Sequence, residues 1–589
     1  MERRLDCVAL YFNYIMMTSS SNVFCRQIAD VIMAHGVDTA YISPGSRNAP
    51  LVLAFEARAE ICKHVVVDER SAAFQALGCA LVTKNPVLLL CTSGTAVLNY
   101  APAVAEAYYA GVPLIVVSAD RPSEWIDQDD SQTIRQYGVL DSIVKGSYDV
   151  RAIPEGSLCE YSNDLKWMVN RTVNEAMLKA LDGKPGPVHI NVQLGEPLGD
   201  CCSVDDAAQR KVSLVKTKES IDVNALKSMA SLLSSSKVLL VAGSLPPDDD
   251  LIKAVRKFAS LPNVAVMAET LSNLHDPSDS STMIDSVLCR MTEAERKSMR
   301  PDIVISIGGA LVSRMLKQYL RSCQPKHHWS VGHSNYFCDC FKCLTDKVEV
   351  APASFFKQVY SVVKKFAISR EVDNYSSSWL SLRKRATEDA DKYIKSCGWS
   401  DLKAFDILMK SMEFDNLFVS NGTTVRYSQL LPHKCHAEYC NRGVSGIDGM
   451  TSTAVGAARA YKGKTMLISG DTSWLYDSGA SALYDVPSDM RMVVIDNSGG
   501  GIFRFIKATS EIPSDTLERY FCVREQMDVA ILSMAYGIET IEADNEESLY
   551  QGIQWLSEDS ESPRLLVVRT LAAESAQILR NYFNINKTK

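Results

Sequence analysis

Short apolar runs alternate with segments of helical spacing along most of this 589-residue chain. In its first third, each apolar run ends at a turn or a polar residue, and amphipathic stretches lie between the runs. Continuous apolar strands alternating with helices are typical of a parallel sheet covered on both faces. The pattern predicts strands at Thr39–Ile42, Val65–Val67, Val87–Cys91, Leu114–Val117 and Val188–Val192, the second of them buried, and helices at Val23–Ala34, Ser71–Val82 and Ala96–Ala110.

The alternation returns twice more, after polar stretches at Gly199–Glu219 and Ala367–Ser378 that we interpret as linkers. We therefore expect an α/β protein of three doubly wound parallel-sheet domains, at residues 21–200, 215–366 and 378–589. Residues 1–20 are expected to be a non-native or disordered extension, with Met16 or Met17 as the functional initiator. The later predicted strands are Val238–Val241, Val264–Val266, Ile303–Ile307, Leu417–Val419, Met466–Ile468, Met492–Ile495 and Leu565–Val568.

Composition narrows the class of protein. A net charge of −8 argues against nucleic acid and anionic membranes as partners. No apolar run approaches the roughly 18 residues that a membrane-spanning helix needs, so no membrane insertion is expected. Seventeen cysteines without a regular framework indicate reduced thiols and a cytoplasmic protein. Met1–Met17 is not interpreted as a signal peptide, because Asp6 and Asn13 interrupt its apolar patch.

The strongest chemical signal joins the ends of two predicted strands. Gly470 and Asp471 follow one strand, and Asn497 follows the next, 26 residues after Asp471. A glycine lets backbone approach a phosphate, and the Asp and Asn side chains supply the hard oxygen ligands that Mg²⁺ prefers. Each motif alone is a common turn, but their pairing at the carboxyl ends of parallel strands favours a ligand site.

Two weaker signals concern charged side chains at predicted turns. Glu69 lies where a strand passes into a helix, a place suited to proton transfer but equally to an ordinary helix-start acid. An arginine on a rigid turn suits bidentate capture of carboxylates or phosphates, although a solvated surface charge is the simpler explanation for any single one. All four candidates follow strand-like runs and are expected to converge at one edge: Arg47, Arg121, Arg426 and Arg442.

A cluster of cysteines and histidines raises the alternative of a structural zinc site. It contains His327, His328, His333, Cys338, Cys340 and Cys343. The C-x-C-x-x-C spacing lacks the paired knuckles of such sites, so free thiols are the preferred interpretation. The sequence also contains no Walker loop, no Rossmann fingerprint and no ordered Ser-His-Asp set.

With these residues in view, the chain resembles the thiamine-diphosphate-dependent enzymes, and among them those that join 2-oxoglutarate to isochorismate in menaquinone biosynthesis. The resemblance extends from about Asn22 into the last predicted domain and is loose in the middle one. The matching segments are Ile42–Arg47, Asp68–Arg70, Thr92–Thr95, Ala119–Pro122, Gln132–Gln136, Asn441–Gly449, Gly470–Asp471, Leu475–Asp477 and Asn497–Phe503.

The resemblance implies a role for each motif. Glu69 would be the catalytic residue, hydrogen-bonded to a nitrogen of the pyrimidine ring of thiamine diphosphate. Asp471, Asn497 and the Gly499 carbonyl would hold Mg²⁺ or Mn²⁺ on the diphosphate. The other cofactor contacts implied are Asn421, Ile447 and Gly470. Substrate contacts would be Ser46, Arg47, Arg121, Gln132, Arg426, Arg442, Ile502 and Phe503.

The implied reaction is decarboxylation of 2-oxoglutarate and conjugate addition of the resulting carbanion to isochorismate, by a homodimer or a dimer of dimers. Three positions depart from the expected pattern: Gly422 in place of a serine, Met315 in place of a basic residue, and Asp496 in place of an asparagine. The alternatives are another thiamine-diphosphate-dependent oxo-acid decarboxylase or acetolactate-type ligase, a non-catalytic homologue, and a zinc-binding structural protein.

Overall fold

The computed structural model describes residues 18–152, 162–203, 209–215, 217–274, 282–482, 486–522 and 527–584. These residues form two compact units. Of the predicted N-terminal extension, residues 1–17 lie outside the described residues, whereas Thr18–Ser20 form a strand paired with Cys201–Ser203. The second of these strands lies within the segment interpreted as a linker. No helix of the described chain is long and apolar enough to cross a membrane.

The first unit contains residues 18–215, 452–462 and 479–482 of the described chain. Its main sheet has six parallel strands in the order β3-β2-β4-β5-β7-β6. The strands are β1 (Thr18–Ser20), β2 (Thr39–Ile42), β3 (Cys62–Val65), β4 (Val87–Cys91), β5 (Leu114–Asp120), β6 (Ser147–Ala152), β7 (Val188–Leu194) and β8 (Cys201–Ser203). The helices are α1 (Val23–Ala34), α2 (Ala49–Glu56), α3 (Glu69–Thr83), α4 (Ala96–Asn99), α5 (Ala101–Ala110) and α6 (Ser162–Leu181), with single turns at Ser123–Trp125 and Asp141–Ile143.

Two local predictions were wrong here. The buried strand expected at Val65–Val67 is instead β3, which lies at the sheet edge, and Val65 and Val67 are 62% and 57% exposed. An edge strand has a neighbour on one side only, so its apolar residues need not be buried. The single helix expected over Ala96–Ala110 divides at Tyr100, and the second helix starts at Ala101 with a proline as its second residue.

The second unit contains residues 217–451, 463–478 and 486–584 of the described chain. Its two sheets are wholly parallel, in the orders β10-β9-β11-β12-β13 and β15-β14-β16-β17-β19-β18. The strands are β9 (Val238–Ala242), β10 (Val264–Ala268), β11 (Ile303–Ile307), β12 (His327–Val331), β13 (Asp346–Val348), β14 (Glu413–Val419), β15 (Lys434–Tyr439), β16 (Thr465–Gly470), β17 (Arg491–Asp496), β18 (Glu539–Ala543) and β19 (Arg564–Arg569).

Helices cover both of these sheets, which confirms the predicted fold class of doubly wound α/β domains. Through the middle sheet they are α7 (Val223–Ser234), α8 (Asp249–Ala259), α9 (Ile284–Arg290), α10 (Glu293–Ser298), α11 (Arg314–Cys323), α12 (Pro352–Val363), α13 (Tyr375–Ser396) and a turn at Thr270–Ser272. Around the last sheet they are α14 (Asp401–Ser411), α15 (Thr424–Ser428), α17 (Asp471–Tyr476), α19 (Gly501–Phe505), α20 (Lys507–Ser510), α21 (Ser514–Leu517), α22 (Val529–Ala535), α23 (Glu546–Ser557), α24 (Ala572–Asn584) and a turn at Glu518–Cys522. Two helices from this part of the sequence, α16 (Met450–Ala460) for the most part and α18 (Gly479–Ala482), belong to the first unit.

The first and last sheets have the same topology. If each sheet's strands are numbered along the chain, both follow the order 2-1-3-4-6-5. The strand order reverses beside the first strand of each set, and ligands of open α/β sheets bind at the carboxyl ends of the strands near such a reversal. A ligand site is therefore expected at the carboxyl edges of these two sheets.

Most of α16 packs within the first unit, against α3. Two glycines allow the helix backbones to touch. A Cβ added to Gly78 would lie 1.8 Å from the Thr453 carbonyl oxygen, and one added to Gly456 would lie 1.9 Å from the Gln75 carbonyl oxygen. The Arg459 guanidinium donates to the Gln75 side chain at 2.7 Å beside this crossing. Residues remote in sequence thereby hold α3, whose first residue is Glu69.

Candidate functional site

Glu69 is the first residue of α3, at the carboxyl end of the edge strand β3. The neighbouring Asp68 caps the helix by accepting a hydrogen bond from the Ser71 amide at 3.2 Å. Burial raises the pKa of the half-buried Glu69 carboxyl, and the Asp68 charge adds to the rise. A carboxyl with a raised pKa retains its proton at higher pH, which suits it to proton transfer.

Arg47 and Arg121 follow β2 and β5 at the same edge of the first sheet. Arg47 is 6% exposed, donates to the Leu194 carbonyl oxygen at 3.0 Å and lies 3.4 Å from the Glu196 carboxylate. Arg121 forms an ion pair with Asp130 at 2.9 Å and donates to the Ser131 carbonyl. Burial lowers the pKa of Arg47, and the Arg121 charge adds to this effect. Two cations near each other at a sheet edge favour an anion.

Buried polar contacts fix the loops around these arginines. The Gln136 side chain accepts from the Gly94 amide at 3.0 Å and donates to the Ser118 hydroxyl and the Ala119 carbonyl. Gly45 is required for close packing, since a Cβ there would lie 2.3 Å from the Thr92 side chain. The predicted contacts Ser46 and Gln132 are both exposed next to this packing.

In the second unit, Asp471 follows β16 as the first residue of α17 and is 4% exposed. One carboxylate oxygen accepts from the Thr472 amide at 2.6 Å, and the other accepts from the Gly499 amide at 2.8 Å. Burial raises the pKa of this carboxyl, with a contribution from the nearby Asp496 charge. The bond to Gly499 joins the two strand-end motifs that the sequence analysis paired.

The hydrogen bonds of the Asn497 side chain leave its oxygen available to a metal ion. Its amide nitrogen donates to the Asp401 carboxylate at 3.0 Å. Its Oδ1 is buried and has no hydrogen-bond partner among the described residues. A buried carbonyl oxygen without a donor is costly unless another group, such as a cation, interacts with it. Asp471, Asn497 and the adjacent loop thus fit a hard cation.

Two departures from the family pattern have a structural explanation. Asp496 lies beside the candidate metal ligands, but Arg569 forms an ion pair with it, and also with Asp528 and Glu542 at 2.7 Å each. The extra negative charge is therefore offset in part, since Arg569 is shared with two other carboxylates. Gly422 has a φ of +96°, a backbone conformation that serine adopts only with strain, so glycine suits this position.

Asn421 organises the loop after β15. Its amide nitrogen donates to the carbonyls of Asn441 and Gly446 at 2.7 Å each, and its oxygen accepts from Arg442 at 2.8 Å. The Ser473 hydroxyl donates to the Ile447 carbonyl at 2.8 Å, while Ile447 is 41% exposed. The loop therefore presents an apolar side chain from a fixed backbone. The predicted residues Ile502 and Phe503 lie in α19 and are partly exposed.

The charges of Arg426 and Arg442 act on two acids, the half-buried Asp285 and the buried Glu269. Glu269 accepts from the amides of Val312 and Ser313 at 2.8 and 2.7 Å, and burial raises its pKa to about 7. Burial lowers the pKa of Arg426, with the Arg442 charge adding to this effect. The Nε atoms of both arginines are buried without an acceptor among the described residues.

Lys317 adds a further cation to this cluster. Its pKa is lowered by burial, opposed by Glu269 and reinforced by Arg442. It lies one helical turn after Arg314, which is itself close enough to Arg426 to affect its pKa. The basic residue missing at Met315 therefore has a neighbour that supplies positive charge to the same region.

The four arginines form two pairs, Arg47 with Arg121 in the first unit and Arg426 with Arg442 in the second. The zinc alternative has no support in the described chain, where no three His, Cys, Asp or Glu side chains are placed to hold a metal. Within the cysteine–histidine cluster, His328 lies in β12 and bonds to the Ser306 hydroxyl at 2.8 Å instead.

Sequence reasoning missed several residues that shape the site. They are Glu269, Asp285, Lys317 and Asp401. The first three of these, two acids and one lysine, belong to no recognisable sequence motif. The one available signal was the Ser400–Asp401 pair, which indicated only a helix start.

Comparison with known proteins agrees with this geometry. Residues 24–139 match the family described as "Thiamine pyrophosphate enzyme, N-terminal TPP binding domain", and residues 205–402 match "Middle domain of thiamine pyrophosphate". Three similar proteins bear the name 2-succinyl-5-enolpyruvyl-6-hydroxy-3-cyclohexene-1-carboxylate synthase. That of Porphyromonas gingivalis is 38% identical over 94% of this chain and 96% of its own length. Those of Flavobacterium johnsoniae and Bacteroides thetaiotaomicron are 35% and 31% identical, over 95% and 98% of this chain and 98% and 100% of their own lengths.

The three parallel sheets and the two matched domains are those of a thiamine pyrophosphate enzyme. Within that class, the chain belongs to the family of 2-succinyl-5-enolpyruvyl-6-hydroxy-3-cyclohexene-1-carboxylate synthases. The predicted resemblance is confirmed at the level of the family.

Proposed function

We propose that this protein decarboxylates 2-oxoglutarate and adds the resulting succinyl semialdehyde carbanion to isochorismate, with thiamine diphosphate as cofactor, in menaquinone biosynthesis. The observation that supports the substrate class is the partly buried pair Arg426 and Arg442, whose buried Nε atoms have no acceptor among the described residues. Both substrates carry two carboxylates, and a guanidinium fork binds a carboxylate in bidentate fashion. A site for a small apolar oxo acid would not need these charges.

The second unit supplies the anchor for the diphosphate. We assign Mg²⁺ or Mn²⁺ to Asp471, Asn497 and the Gly499 carbonyl, since the buried Asn497 oxygen has no donor. Gly470 leaves room beside the loop, its amide being held by the Ser420 hydroxyl at 3.2 Å. Asn421 holds the backbone next to Ile447 in place. The exposed Ile447 side chain is assigned to the apolar face of the cofactor.

Glu69 is assigned to proton transfer with the pyrimidine ring. Its raised pKa lets the carboxyl keep or accept a proton at a higher pH than an ordinary glutamate does. When bound, thiamine diphosphate supplies a nucleophilic carbon and an electron sink for the carbon–carbon bond that breaks and the one that forms.

The remaining side chains orient the substrates. Arg47, Arg121, Arg426 and Arg442 are assigned to carboxylates, Ser46 and Gln132 to other polar groups, and Ile502 and Phe503 to the apolar wall. Because Glu269 and Asp285 offset only part of the positive charge around Arg426, a dicarboxylate can complete the balance. Orientation by paired charges places the reacting carbon atoms without further chemistry by the protein.

We further propose that the enzyme is a cytoplasmic homodimer or dimer of dimers, in which Glu69 of one copy serves the cofactor anchored by another. Exposed apolar residues beside Glu69, namely Val65 and Val67, support a covering partner. Sedimentation of the purified protein measures this assembly.

The deciding experiment is a product assay with 2-oxoglutarate and isochorismate, with and without thiamine diphosphate and Mg²⁺. Formation of the succinyl adduct only when both are present supports the proposal. Preference for pyruvate, or no consumption of isochorismate, would instead identify an acetolactate-type ligase. Pyruvate as the competing substrate is the matched control, since it lacks the second carboxylate.

A further inference from the structure

We propose that Asp401 is the positioning residue that turns the Asn497 amide so that its oxygen faces the metal. The inference rests on the metal site of the proposed function and assigns a role to a residue outside its ligand set. Asp401 is the first residue of α14 and is 2% exposed. It lies 96 residues before Asn497 in the sequence.

The orientation follows from hydrogen-bond chemistry. A side-chain amide can place either its nitrogen or its oxygen on a given side, and the two orientations have nearly the same shape. An ionised carboxylate only accepts hydrogen bonds, so it selects the nitrogen. The 3.0 Å bond from Asn497 Nδ2 to Asp401 Oδ2 thereby directs Oδ1 away from Asp401.

Asp401 is itself held from the other side. Its Oδ1 accepts hydrogen bonds from the Thr570 hydroxyl at 2.5 Å and the Ser575 hydroxyl at 3.0 Å. The Ser575 oxygen also accepts from the Asp401 amide at 3.0 Å. With one oxygen bound to two hydroxyls, the other is left for Asn497.

Gly501 packs closely against the Asn497 side-chain amide. A Cβ at this position would lie 2.9 Å from Asn497 Nδ2, closer than real Cβ contacts. The nitrogen is therefore enclosed between Asp401 and the start of α19, whereas Oδ1 has no partner among the described residues. A free oxygen opposite a nitrogen held by a hydrogen bond is what a metal ligand of defined orientation requires.

The test titrates Mn²⁺ into metal-free protein at saturating thiamine diphosphate and measures free Mn²⁺ by electron paramagnetic resonance. Asp401→Asn is expected to weaken Mn²⁺ binding about 10- to 100-fold, the range for groups that orient a metal ligand. The matched control is Asp406→Asn in the same helix, a nearly buried acid whose ion pair with Lys410 spans 2.7 Å. Its Mn²⁺ affinity should equal that of the wild type.

An exchange of the two side chains separates positioning from general structural support. In the double variant Asp401→Asn and Asn497→Asp, the new amide donates to the new carboxylate, whose second oxygen is free for the metal. We expect Mn²⁺ binding at least tenfold tighter than in Asn497→Asp alone, where two carboxylates face each other.

Circular dichroism establishes which variants fold. Wild-type Mn²⁺ affinity in folded Asp401→Asn would overturn the inference. If that variant does not fold, a double variant that binds Mn²⁺ no tighter than Asn497→Asp would overturn it. Absence of Mn²⁺ binding by the wild type would instead contradict the metal site of the proposed function.

Discussion

The first and last sheets share one strand order, yet their carboxyl edges carry different chemistry. At the first edge, Glu69 is half-buried beside two exposed valines. At the last edge, Asp471 and Asn497 are nearly buried, and internal hydrogen bonds engage both side chains. One edge offers a group able to exchange protons, and the other offers fixed oxygen atoms.

The difference between the two edges lies in the residues that follow the strands and not in the order of the strands. The shared sheet topology predicts a ligand site at the same place in both sheets, because the strand order reverses there. The residues after each strand determine what that place does. A proton-transferring group gains from partial desolvation and access, whereas metal ligands gain from rigidity.

The largest expected effect tests the proton-transferring role of the first edge. Glu69→Gln keeps the shape of the side chain but removes its acid–base function, so exchange of the thiazolium proton should slow by about 10²- to 10⁴-fold. Thiamine diphosphate affinity should stay within an order of magnitude. Proton exchange followed by nuclear magnetic resonance measures the effect. Asp68→Asn, which keeps a capping side chain, is the control; equal exchange in Glu69→Gln and wild type would show a purely structural acid.

At the last edge, the expected loss is in cofactor binding. Asp471→Ala removes a buried anionic ligand, a change that typically costs about 3–5 kcal/mol, or roughly 200- to 5,000-fold in affinity. Calorimetric titration with thiamine diphosphate and Mg²⁺ measures it. Asp496→Asn, beside the ligands but paired with Arg569, should bind the cofactor within an order of magnitude of wild type. Unchanged, Mg²⁺-dependent binding by Asp471→Ala would refute the assignment.

The arginine pairs are expected to act alike at both edges. Arg47→Ala and Arg442→Ala each remove a partly desolvated partner of a substrate carboxylate, which costs at least about 2 kcal/mol, or roughly 30-fold in kcat/KM. Cofactor binding should change little. Steady-state kinetics with 2-oxoglutarate and isochorismate measures the loss, with the exposed Arg135→Ala as the control. An unchanged kcat/KM in either variant would remove that arginine from the substrate contacts.

The smallest expected effect concerns two buried histidines, one in each unit. Burial lowers the pKa of His189 to about 4, so folding excludes a proton that the unfolded chain takes up below about pH 6.5. Stability should therefore fall as the pH drops from about 6.5 towards 4. Burial opposes protonation of His433 too, but its hydrogen bond to Glu438 at 3.0 Å, the Glu438 charge and the Leu431 carbonyl together outweigh burial and raise the pKa.

The stabilising effect of a protonated His433 is present below about pH 6.5 and is lost as the pH rises through the raised value. Thermal unfolding of His189→Gln and His433→Gln measures both trends. Relative to wild type, the free energy of unfolding of His189→Gln should increase by about 1 kcal/mol on going from pH 6.5 to 5.5. The loss of stability in His433→Gln relative to wild type should be largest below pH 6.5. Parallel pH profiles for both variants and the wild type would contradict these shifts.

Much of the fold was predictable because buried parallel strands are continuously apolar. The strand Val87–Cys91 was placed correctly, and all five of its residues are buried. Strands missed by the sequence analysis include Lys434–Tyr439 and Glu539–Ala543, which lie at the edges of the last sheet and carry charged residues. Edge strands are half solvated, so polar residues conceal them.

The candidate site was predictable where a short motif carries the chemistry. The pairing of Asp471 with the loop after Asn497 is confirmed by the bond from the Gly499 amide. The contact between Asp401 and Asn497 was not predictable, because only the packing of α14 against the last sheet brings them together. The same holds for Glu269, whose partners at residues 312 and 313 follow a different strand.

The glycine-mediated crossing of α3 and α16 has a consequence for dividing the chain into fragments. A fragment ending near residue 215 would contain the whole first sheet but would lack Ser452–Lys462, and the groove at Gly78 would be open to water. Expression of that fragment should yield an aggregation-prone protein, whereas joining the α16 segment to it through a flexible tether should restore solubility. Boundaries drawn along the sequence are thus poor guides to the cooperative folding units of this enzyme.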